Sequence, residues 1–337
     1  MSPSLTSVAQ RAGVSLSTAS RAFSQPERIG ADTLTRIRAA ADELGYRAPT
    51  SRTENRPLTV AVVVPDVSNP VWADFVKSAQ TQAFFTNNTL VLVDGDGSAE
   101  RERALVSNLV GRVNAFIIGA PRHDPDELVE LCDGAPVVLV NQTSDACHCV
   151  VVDNESGLRQ SVDYLHALGH THIAYLQGSP QSWSNSRRVR AIDTLTTERN
   201  LDLSLLGWQQ ETAAGGHAAA ATMLASGATA VIAHNDPMAL GMVQGLRSLG
   251  ASVPGDVSVI GTDRSTWTEQ TNPELTTIEV PLRRAAILST NLIAELTDPK
   301  HDKDSGASTG NTQRVQHLST QLVVGRTSGA APQSART

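Results

Sequence analysis

The stretch from Leu58 to about residue 330 alternates short apolar runs with longer amphipathic segments, and this alternation constrains the fold more than any other feature. The first apolar runs are LTVAVVVP, TLVLV, AFIIGA and PVVLV, and helices are predicted between them at about 71–85, 99–112 and 126–132. Strands that alternate with helices form a parallel sheet with helices on both faces. This part of the chain is therefore predicted to be an α/β domain.

A second series of the same kind begins near Asp153. It contains the predicted strands HIAYL, AVIAH and VSVIG and the predicted helices 155–168, 184–199, 215–226 and 237–249. The two series open alike, because LTVAVVVPDVSNPVW and THIAYLQGSPQSW are each a strand, a polar loop with proline and a tryptophan before the next helix. We expect two similar lobes facing a shared cleft, where ligands bind at the carboxyl ends of the strands.

The N-terminal residues 5–23, LTSVAQRAGVSLSTASRAF, have a different pattern, that of two short helices joined by a tight turn. The first helix has one small apolar face, Gly13 allows a left-handed residue after it, and Ser15 can cap the second helix. This order of signals is typical of a helix-turn-helix. An ordinary helical hairpin at a domain edge is the alternative interpretation.

The second of these helices has the outward face that a recognition helix needs. At 100° per residue, Ala19, Ala22 and Phe23 lie together on the inward side, and Ser17 and Arg21 lie opposite them. Short polar side chains let the helix lie deep in a major groove, where arginine can reach guanine O6 and N7. We expect Ser17 and Arg21 to read bases and Leu16 to meet a thymine methyl. The expected DNA-contacting residues are Leu5, Thr6, Ser15, Leu16, Ser17, Thr18, Ser20, Arg21, Arg28 and Arg52, with Ser15, Thr18 and Ser20 holding phosphates.

A third helix at about 32–44 completes a small all-α headpiece at 1–47, and APTSRTENRP at 48–57 has the composition of a linker.

Charge separates the N-terminal region from the remainder of the chain. Residues 1–57 hold eight arginines, no lysine and five acidic residues, so their formal charge is +3, against −7 for the whole chain and hence −10 for the remainder. A modestly basic head on an acidic body suits a protein that meets nucleic acid at one end.

Targeting and metal-binding signals are weak. No apolar run of signal-peptide type follows Met1, and no stretch reaches the roughly 20 apolar residues that span a bilayer, so a cytoplasmic location is expected. Cys132, Cys147 and Cys149 fit a reducing compartment. Cys147-His148-Cys149 lacks the second pair of ligands of a structural zinc site. We expect no metal and no cofactor, and a structural role for the histidines His166, His170 and His172.

Specific motifs make a family resemblance clear. VAQRAGVSLSTASRAF, followed by DTLTRIRAAADELGYRA, resembles the DNA-binding headpiece of the lac-repressor (LacI/GalR) family of bacterial transcription regulators. The segments VVVPDVSNPVW, GHTHIAYLQG, AVIAHNDPMALGMVQGLRSLGASVPGDVSVIGTD, NPELTTIEVP and QLVVGRTSG resemble that family's effector domain in order and spacing. The resemblance implies a homodimeric repressor, bound to an inverted-repeat operator, whose affinity is set by a small molecule such as a sugar between two lobes.

The resemblance also implies boundaries and pocket residues. The fold expected for the body is that of periplasmic binding proteins, two parallel sheets linked by three crossings. Lobe one would span about 58–152 and 281–312, and lobe two about 153–280 and 313–330. Independently, the polar, Gly/Ser-rich composition of 298–314 predicts a flexible surface insertion, and a disordered tail is expected at 331–337. The effector-binding residues carried over from the matched segments are Val71, Trp72, Asn141, Trp183, Arg187, Asn235 and Asp263. Their carboxylate, guanidinium, amide and indole groups favour a polar, hydroxylated ligand.

Each pocket residue also has an ordinary structural interpretation. Trp72 and Trp183 could be core or interface aromatics, and Arg187 could be solvated with the arginines beside it. The chain departs from the family's pattern at Arg264, where a second acidic residue is usual, and at Arg190, where a glycine is usual. The ligand therefore cannot be copied from a well-known relative.

The linker departs from the family's pattern too. Relatives carry a segment that folds on DNA and inserts a leucine into the minor groove. Here TSRTENR has Asn55 at the leucine's place, and the link to the first strand is about three residues shorter by segment matching. Without an inserted apolar side chain, the energy needed to unstack and kink the central base step is not compensated. We therefore expect a less bent operator, with Arg52 and Arg56 attracting phosphates.

Two other classes of protein are considered. A secreted sugar-binding protein would share the two-lobed fold, but it would need an export signal where this chain has a helix-turn-helix. A sugar-metabolising enzyme would need catalytic machinery, and the sequence has no GxxxxGK[ST] loop and no HExxH motif. The residues favour a DNA-binding regulator over both.

Overall fold

The computed structural model describes residues 5–24, 29–44, 46, 57–298 and 314–332. They separate into two compact units, a headpiece formed by the described residues before Pro57 and a body that begins at Leu58. In these ranges, no helix is both long and apolar enough to cross a membrane. Arg28 and Arg52, most of the linker and most of the predicted 298–314 insertion lie outside the described residues.

The headpiece is a three-helix unit. Gly13 lies at φ +65° in the turn after the first helix, as its position in the sequence predicts. A small core forms where the three helices meet, from Val8, Ala12, Ala22, Ile37, Ala40 and Ala41. The helices are α1 (Leu5–Ala12), α2 (Leu16–Ser24) and α3 (Ala31–Glu43).

The first lobe of the body is built on a fully parallel six-stranded sheet with helices on both faces. Its strands are β1 (Thr59–Val64), β2 (Thr89–Asp94), β3 (Ala115–Gly119), β4 (Val137–Val140), β5 (His148–Asp153) and β11 (Val315–Ser319), in the order β11-β5-β4-β3-β1-β2. Its helices are α4 (Pro70–Phe85), α5 (Ala99–Leu109), α6 (Pro125–Leu131) and α12 (Leu282–Leu296). Two apolar clusters cover the two sides of this sheet.

The second lobe repeats this architecture, with one antiparallel strand at its edge. Its strands are β6 (His172–Gln177), β7 (Asp202–Trp208), β8 (Ala230–Ala233), β9 (Ser258–Asp263), β10 (Thr276–Glu279) and β12 (Gln321–Val323), in the order β12-β10-β9-β8-β6-β7. Only β12, paired with β10, is antiparallel. Its helices are α7 (Asn154–Ala167), α8 (Trp183–Glu198), α9 (Ala213–Ala218), α10 (Ala220–Ser226) and α11 (Asp236–Ser248).

The chain passes between the lobes three times, after Asp153, near Pro281 and at Thr320. The predicted start of the last lobe-two segment at 313 is too early. β11, which ends at Ser319, pairs with β5 and so belongs to the first lobe. Hydrogen bonds of Thr320 join the third crossing of the chain to the first. Its Oγ1 donates to the Asp153 carbonyl at 2.7 Å and accepts from the Gly157 amide at 2.8 Å.

Strands β5, β7, β10 and β11 were not predicted from the sequence. β7 is an edge strand in which only Leu206 is buried, and its sequence DLSLLGW has no long apolar run. Because β7 was not predicted, the loop after it was not recognised as part of the cleft. The histidines behave as structural groups: His170 bonds to Thr229 Oγ1 at 2.8 Å and to the Gly329 carbonyl at 3.1 Å, and His172 bonds to Ser204 Oγ at 2.8 Å.

Candidate functional site

A cleft lies where the carboxyl ends of the two sheets face each other. It contains a cavity of about 40 Å³ whose walls come from the segments after β1, β3 and β4 of the first lobe and after β6, β7, β8, β9 and β10 of the second. Parallel sheets bind ligands at this edge. The lining residues are Pro65, Asn69, Val71, Trp72, Ala120, Arg122, Asn141, Ser182, Ser184, Arg188, Glu211, His234, Asn235, Asp263, Val280 and Leu282.

The cleft brings together five of the seven effector-binding residues predicted from the sequence, Val71, Trp72, Asn141, Asn235 and Asp263. The other two, Trp183 and Arg187, do not line this cavity. Trp183 is half-buried against the apolar cluster of the first lobe. Arg187 is exposed, with its guanidinium carbon 4.8 Å from the centroid of the Trp183 ring, and it borders a separate surface groove.

The arginine that lines the cleft is Arg188. It is 4% exposed, and it donates from Nε to Asn154 Oδ1 at 3.0 Å and from Nη1 to the His234 carbonyl at 2.6 Å. The helical period explains why Arg188, and not Arg187, lines the cleft. Ile192, one turn further along α8, is buried, so Arg188 lies on the buried face of the helix. Arg187 is rotated by about 100° around the helix axis from Arg188.

The first-lobe wall is formed by the start of α4. Asn69 caps this helix by accepting from the Val71 amide at 3.3 Å, and this places Val71 and Trp72 at the cavity. The Trp72 ring lies edge-on to Phe75, with 5.5 Å between the ring centroids. It also covers Gly119, where an added Cβ would come within 2.5 Å of Trp72 Cζ3, so the ring needs a glycine beneath it.

Asp263 ends β9 with a backbone φ of +127°, a conformation that non-glycine residues rarely adopt and that is found mainly at functional sites. Burial raises the pKa of Asp263 well above its ordinary value, and the nearby charge of Asp236 raises it further, although Asn69 hydrogen-bonds to the carboxylate. Burial also raises the pKa of Asp236, to about 6, but less than that of Asp263, because its carboxylate accepts from Thr268 Oγ1 at 2.7 Å, Thr277 Oγ1 at 2.6 Å and the Arg264 amide at 2.8 Å.

An ion pair crosses the cleft, and sequence reasoning missed both of its members. Arg122 follows β3 and Glu211 follows β7, and their Nη2 and Oε2 atoms are 2.9 Å apart. The backbone amides of Arg122 and His123 donate to the buried carboxylate of Glu102 at 3.2 and 3.1 Å, which fixes the loop that carries Arg122. No periodic pattern marks either residue, because both lie in loops.

His234, also unpredicted, contributes a neutral ring to the second-lobe wall. Burial lowers the pKa of His234 to about 3, so the imidazole carries no charge at neutral pH. Its Nδ1 is 3.2 Å from the hydroxyl of Tyr175. A Cβ on Gly178 would come within 2.4 Å of the imidazole ring, so close packing fixes the ring. Its place directly before Asn235 at the end of β8 is the signal that could have identified it.

Two buried polar atoms of the cleft have no hydrogen-bond partner among the described residues, Asn141 Oδ1 and Arg122 Nε. The Nδ2 of Asn141, by contrast, donates across the cleft to Ser184 Oγ at 2.9 Å. A buried polar atom without a partner costs about 1–3 kcal/mol. Since a hydroxyl both donates and accepts, a hydroxylated ligand can pair with an acceptor such as Asn141 Oδ1 and a donor such as Arg122 Nε.

The headpiece presents the outward face predicted for α2. Leu16 is 51% exposed, Ser17 and Arg21 are exposed, and Ala19 and Ala22 are buried. Ser15 Oγ accepts from the Thr18 amide at 3.2 Å, as expected of a capping residue. The other predicted DNA contacts lie at or near the surface: Leu5 and Thr18 are half-buried, and Thr6, Ser15 and Ser20 are exposed.

Two family models match this chain. The model described as bacterial regulatory proteins of the lacI family matches residues 4–48, and a periplasmic binding protein-like domain matches residues 162–328. The HTH-type transcriptional regulator MalR of Streptomyces coelicolor is 31% identical over 84% of this chain and 86% of its own length.

Solved structures agree with these matches over nearly the full length. The lac repressor dimer bound to operator and the anti-inducer ONPF is 26% identical, with a TM-score of 0.73, and the alignment covers 98% of this chain and 100% of that one. The complex of the transcriptional regulator CelR with cellobiose is 25% identical, with a TM-score of 0.69, over 96% of this chain and 99% of that one.

Proposed function

Because this chain belongs to the lacI family of bacterial regulatory proteins and is a DNA-binding transcriptional regulator, we propose that it is a repressor controlled by a sugar-like effector bound in the cleft. The family consists of regulators and not of enzymes. The proposed operator is an inverted repeat bound by a homodimer, and the proposed site of action is the cytoplasm, where the DNA is. The proposed divisions are a headpiece at 1–47, a linker at 48–57 and an effector-binding body at 58–330.

One observation carries the effector proposal: both lobes aim buried polar side chains into one cavity, and two of the polar atoms there lack a partner. Asn141 and Arg122 belong to the first lobe, whereas Arg188, Asn235 and Asp263 belong to the second. A ligand with several hydroxyls would bind to both walls at once and so favour the closed arrangement. A ligand shifts such an equilibrium only by its differential affinity for the two states.

The relatives support the choice of ligand class and partner. CelR was solved with cellobiose, and the lac repressor was solved as a dimer bound to operator. The exposed α2 face, with Leu16, Ser17 and Arg21, has the side chains that a major groove accepts. Asp263 and Arg188 are the proposed polar anchors of the effector, with Trp72 packing against its C–H face.

The test combines two measurements on the purified full chain. A thermal-shift screen over sugars, polyols and nucleosides should find a ligand that raises the melting temperature, because a ligand of the native state stabilises it by RT ln(1 + [L]/Kd). A gel-shift titration with the palindromic site next to the protein's own gene should then show an affinity that this ligand changes. A protein that ignores the whole panel, or that binds the site with no response to the ligand, would contradict the proposal.

A further inference from the structure

The ion pair across the cleft bears on the charge of the effector. We propose that Glu211, held by Arg122, is a specificity-determining residue that makes this cleft select neutral hydroxylated effectors and reject anionic ones such as sugar acids and sugar phosphates. The inference rests on the proposed effector-binding function and deepens it.

Glu211 is held in place within the cleft. Its Oε2 pairs with Arg122 Nη2 at 2.9 Å, and its Oε1 accepts from the Ser179 amide at 3.0 Å. Its backbone carbonyl accepts from Asn235 Nδ2 at 2.9 Å, which ties the loop after β7 to the start of α11. Because the side chain and the backbone of Glu211 are both fixed, a ligand that enters the cleft contacts the carboxylate in this position.

The carboxylate of Glu211 stays ionised in this position. The ion pair with the Arg122 guanidinium and the hydrogen bond from the Ser179 amide both stabilise the ionised form of this carboxyl group. The guanidinium of Arg122, 7% exposed, therefore already has its counter-charge. A ligand carboxylate or phosphate beside Arg122 would add a second negative charge next to Glu211 in a buried site, where like charges repel strongly.

The remaining charges of the cleft do not favour an anion either. Arg188 is the other cation that lines the cavity, and its guanidinium already donates to Asn154 Oδ1 at 3.0 Å and to the His234 carbonyl at 2.6 Å. His234 is neutral, so it supplies no extra positive charge. The guanidinium of Arg122 is thus paired with Glu211, and that of Arg188 already bonds to protein acceptors.

The unpaired atoms point to the same ligand class. Asn141 Oδ1 needs a donor and Arg122 Nε needs an acceptor. A neutral hydroxyl can serve either atom, whereas an ionised carboxylate offers only acceptors and would leave Asn141 Oδ1 unpaired. An uncharged polyol or sugar fits both the charges and the hydrogen bonds of the cleft.

The first experiment measures selectivity with matched probes. Ribose against ribose 5-phosphate, glucose against glucose 6-phosphate and galactose against galacturonate are titrated by thermal shift into the wild type, E211Q and the control E295Q. Glu295 is an exposed carboxylate paired with Arg314, so E295Q removes one charge away from the cleft. The wild type and E295Q should prefer the neutral member of a bound pair by about tenfold or more, and E211Q should lose most of that preference.

Tighter wild-type binding of the anionic members, or an unchanged preference in E211Q, would overturn the inference while leaving the effector function intact. If no member of any pair binds, the proposed sugar-like effector is contradicted instead.

A second experiment tests the inference without any sugar. Inorganic phosphate, against chloride at equal ionic strength, should raise the melting temperature of E211A, because Arg122 has lost its counter-charge.

Because phosphate stabilises proteins in general, the wild type and E295A should show only that smaller general rise, and the double variant R122Q/E211A should return to it. Circular dichroism of each variant checks that it has folded. A rise that is equal in E211A and wild type, or an excess that persists in R122Q/E211A, would show that Glu211 does not control anion entry at Arg122.

Discussion

Arg187 and Arg188 are neighbours in α8, yet Arg188 is 4% exposed in the cleft and Arg187 lies on the surface over Trp183. Arg188→Ala would leave Asn154 Oδ1 and the His234 carbonyl without their donor, together with any effector atom that the guanidinium binds. We expect effector affinity to fall by about one to two orders of magnitude, from about 1–3 kcal/mol for the effector atom that loses its donor, whereas the two bonds within the protein affect stability.

Arg187→Ala is the matched control, because it removes the same side chain one residue away. It should keep the effector affinity, measured by titrating operator binding of each variant with the effector. Equal losses in the two variants would mean that the arginines act through the helix as a whole and not through the cleft.

The buried carboxyl of Asp263 predicts a pH-dependent stability. Because its pKa is raised, the folded chain keeps a proton that the unfolded chain releases near pH 4, so this group's contribution to stability falls as the pH rises through that range and above. Asp263→Asn should therefore become more stable relative to wild type from pH 5 to pH 8, by at most about 1.4 kcal/mol per pH unit.

Urea unfolding of both proteins at several pH values measures this difference. Asp256 is a suitable control, since hydrogen bonds from the Ser252 side chain and amide lower its pKa. Asp256→Asn should thus differ from wild type by a constant amount between pH 5 and pH 8. A constant difference for Asp263→Asn as well would mean that Asp263 is ionised throughout.

The exposed α2 face predicts which headpiece residues read the operator. Arg21→Ala should weaken binding to the cognate operator by about 1–3 kcal/mol and affect random DNA much less, because a guanine contact is lost and not only a phosphate contact. Fluorescence anisotropy with both duplexes at one salt concentration measures the two affinities. An equal loss on both DNAs would make Arg21 a phosphate contact.

The linker sequence predicts a weakly bent operator. Asn55 stands where an apolar wedge would be needed, and it lies outside the described residues, so this prediction rests on the sequence alone. Kinking a base step without an inserted apolar side chain loses the energy that normally compensates for unstacking. Circular-permutation gel shifts should give a smaller bend than the lac repressor gives on its own operator. A strong central kink would contradict this.

The course of the chain and much of the cleft follow from the sequence. Apolar periodicity predicted the α/β alternation and the two lobes, and the position of Gly13 predicted the headpiece turn. Val71, Asn235 and Asp263 were predicted because they lie in segments that resemble the family's effector domain, and the structure brings them together because strand ends of parallel sheets meet at one edge. β11 escaped this reasoning because a strand with a single buried residue has no apolar pattern.

The tertiary structure alone decided which loop residues meet across the cleft. Arg122 and Glu211 are far apart in sequence and come from different lobes, so only the packing of both sheets brings their charges to 2.9 Å. Trp72 and Trp183 have the same local sequence setting, yet one lines the cavity and the other packs on the opposite lobe. Local patterns fix hydrogen bonds and burial within a helix or strand, whereas the contacts that select a ligand depend on the distance between separate elements.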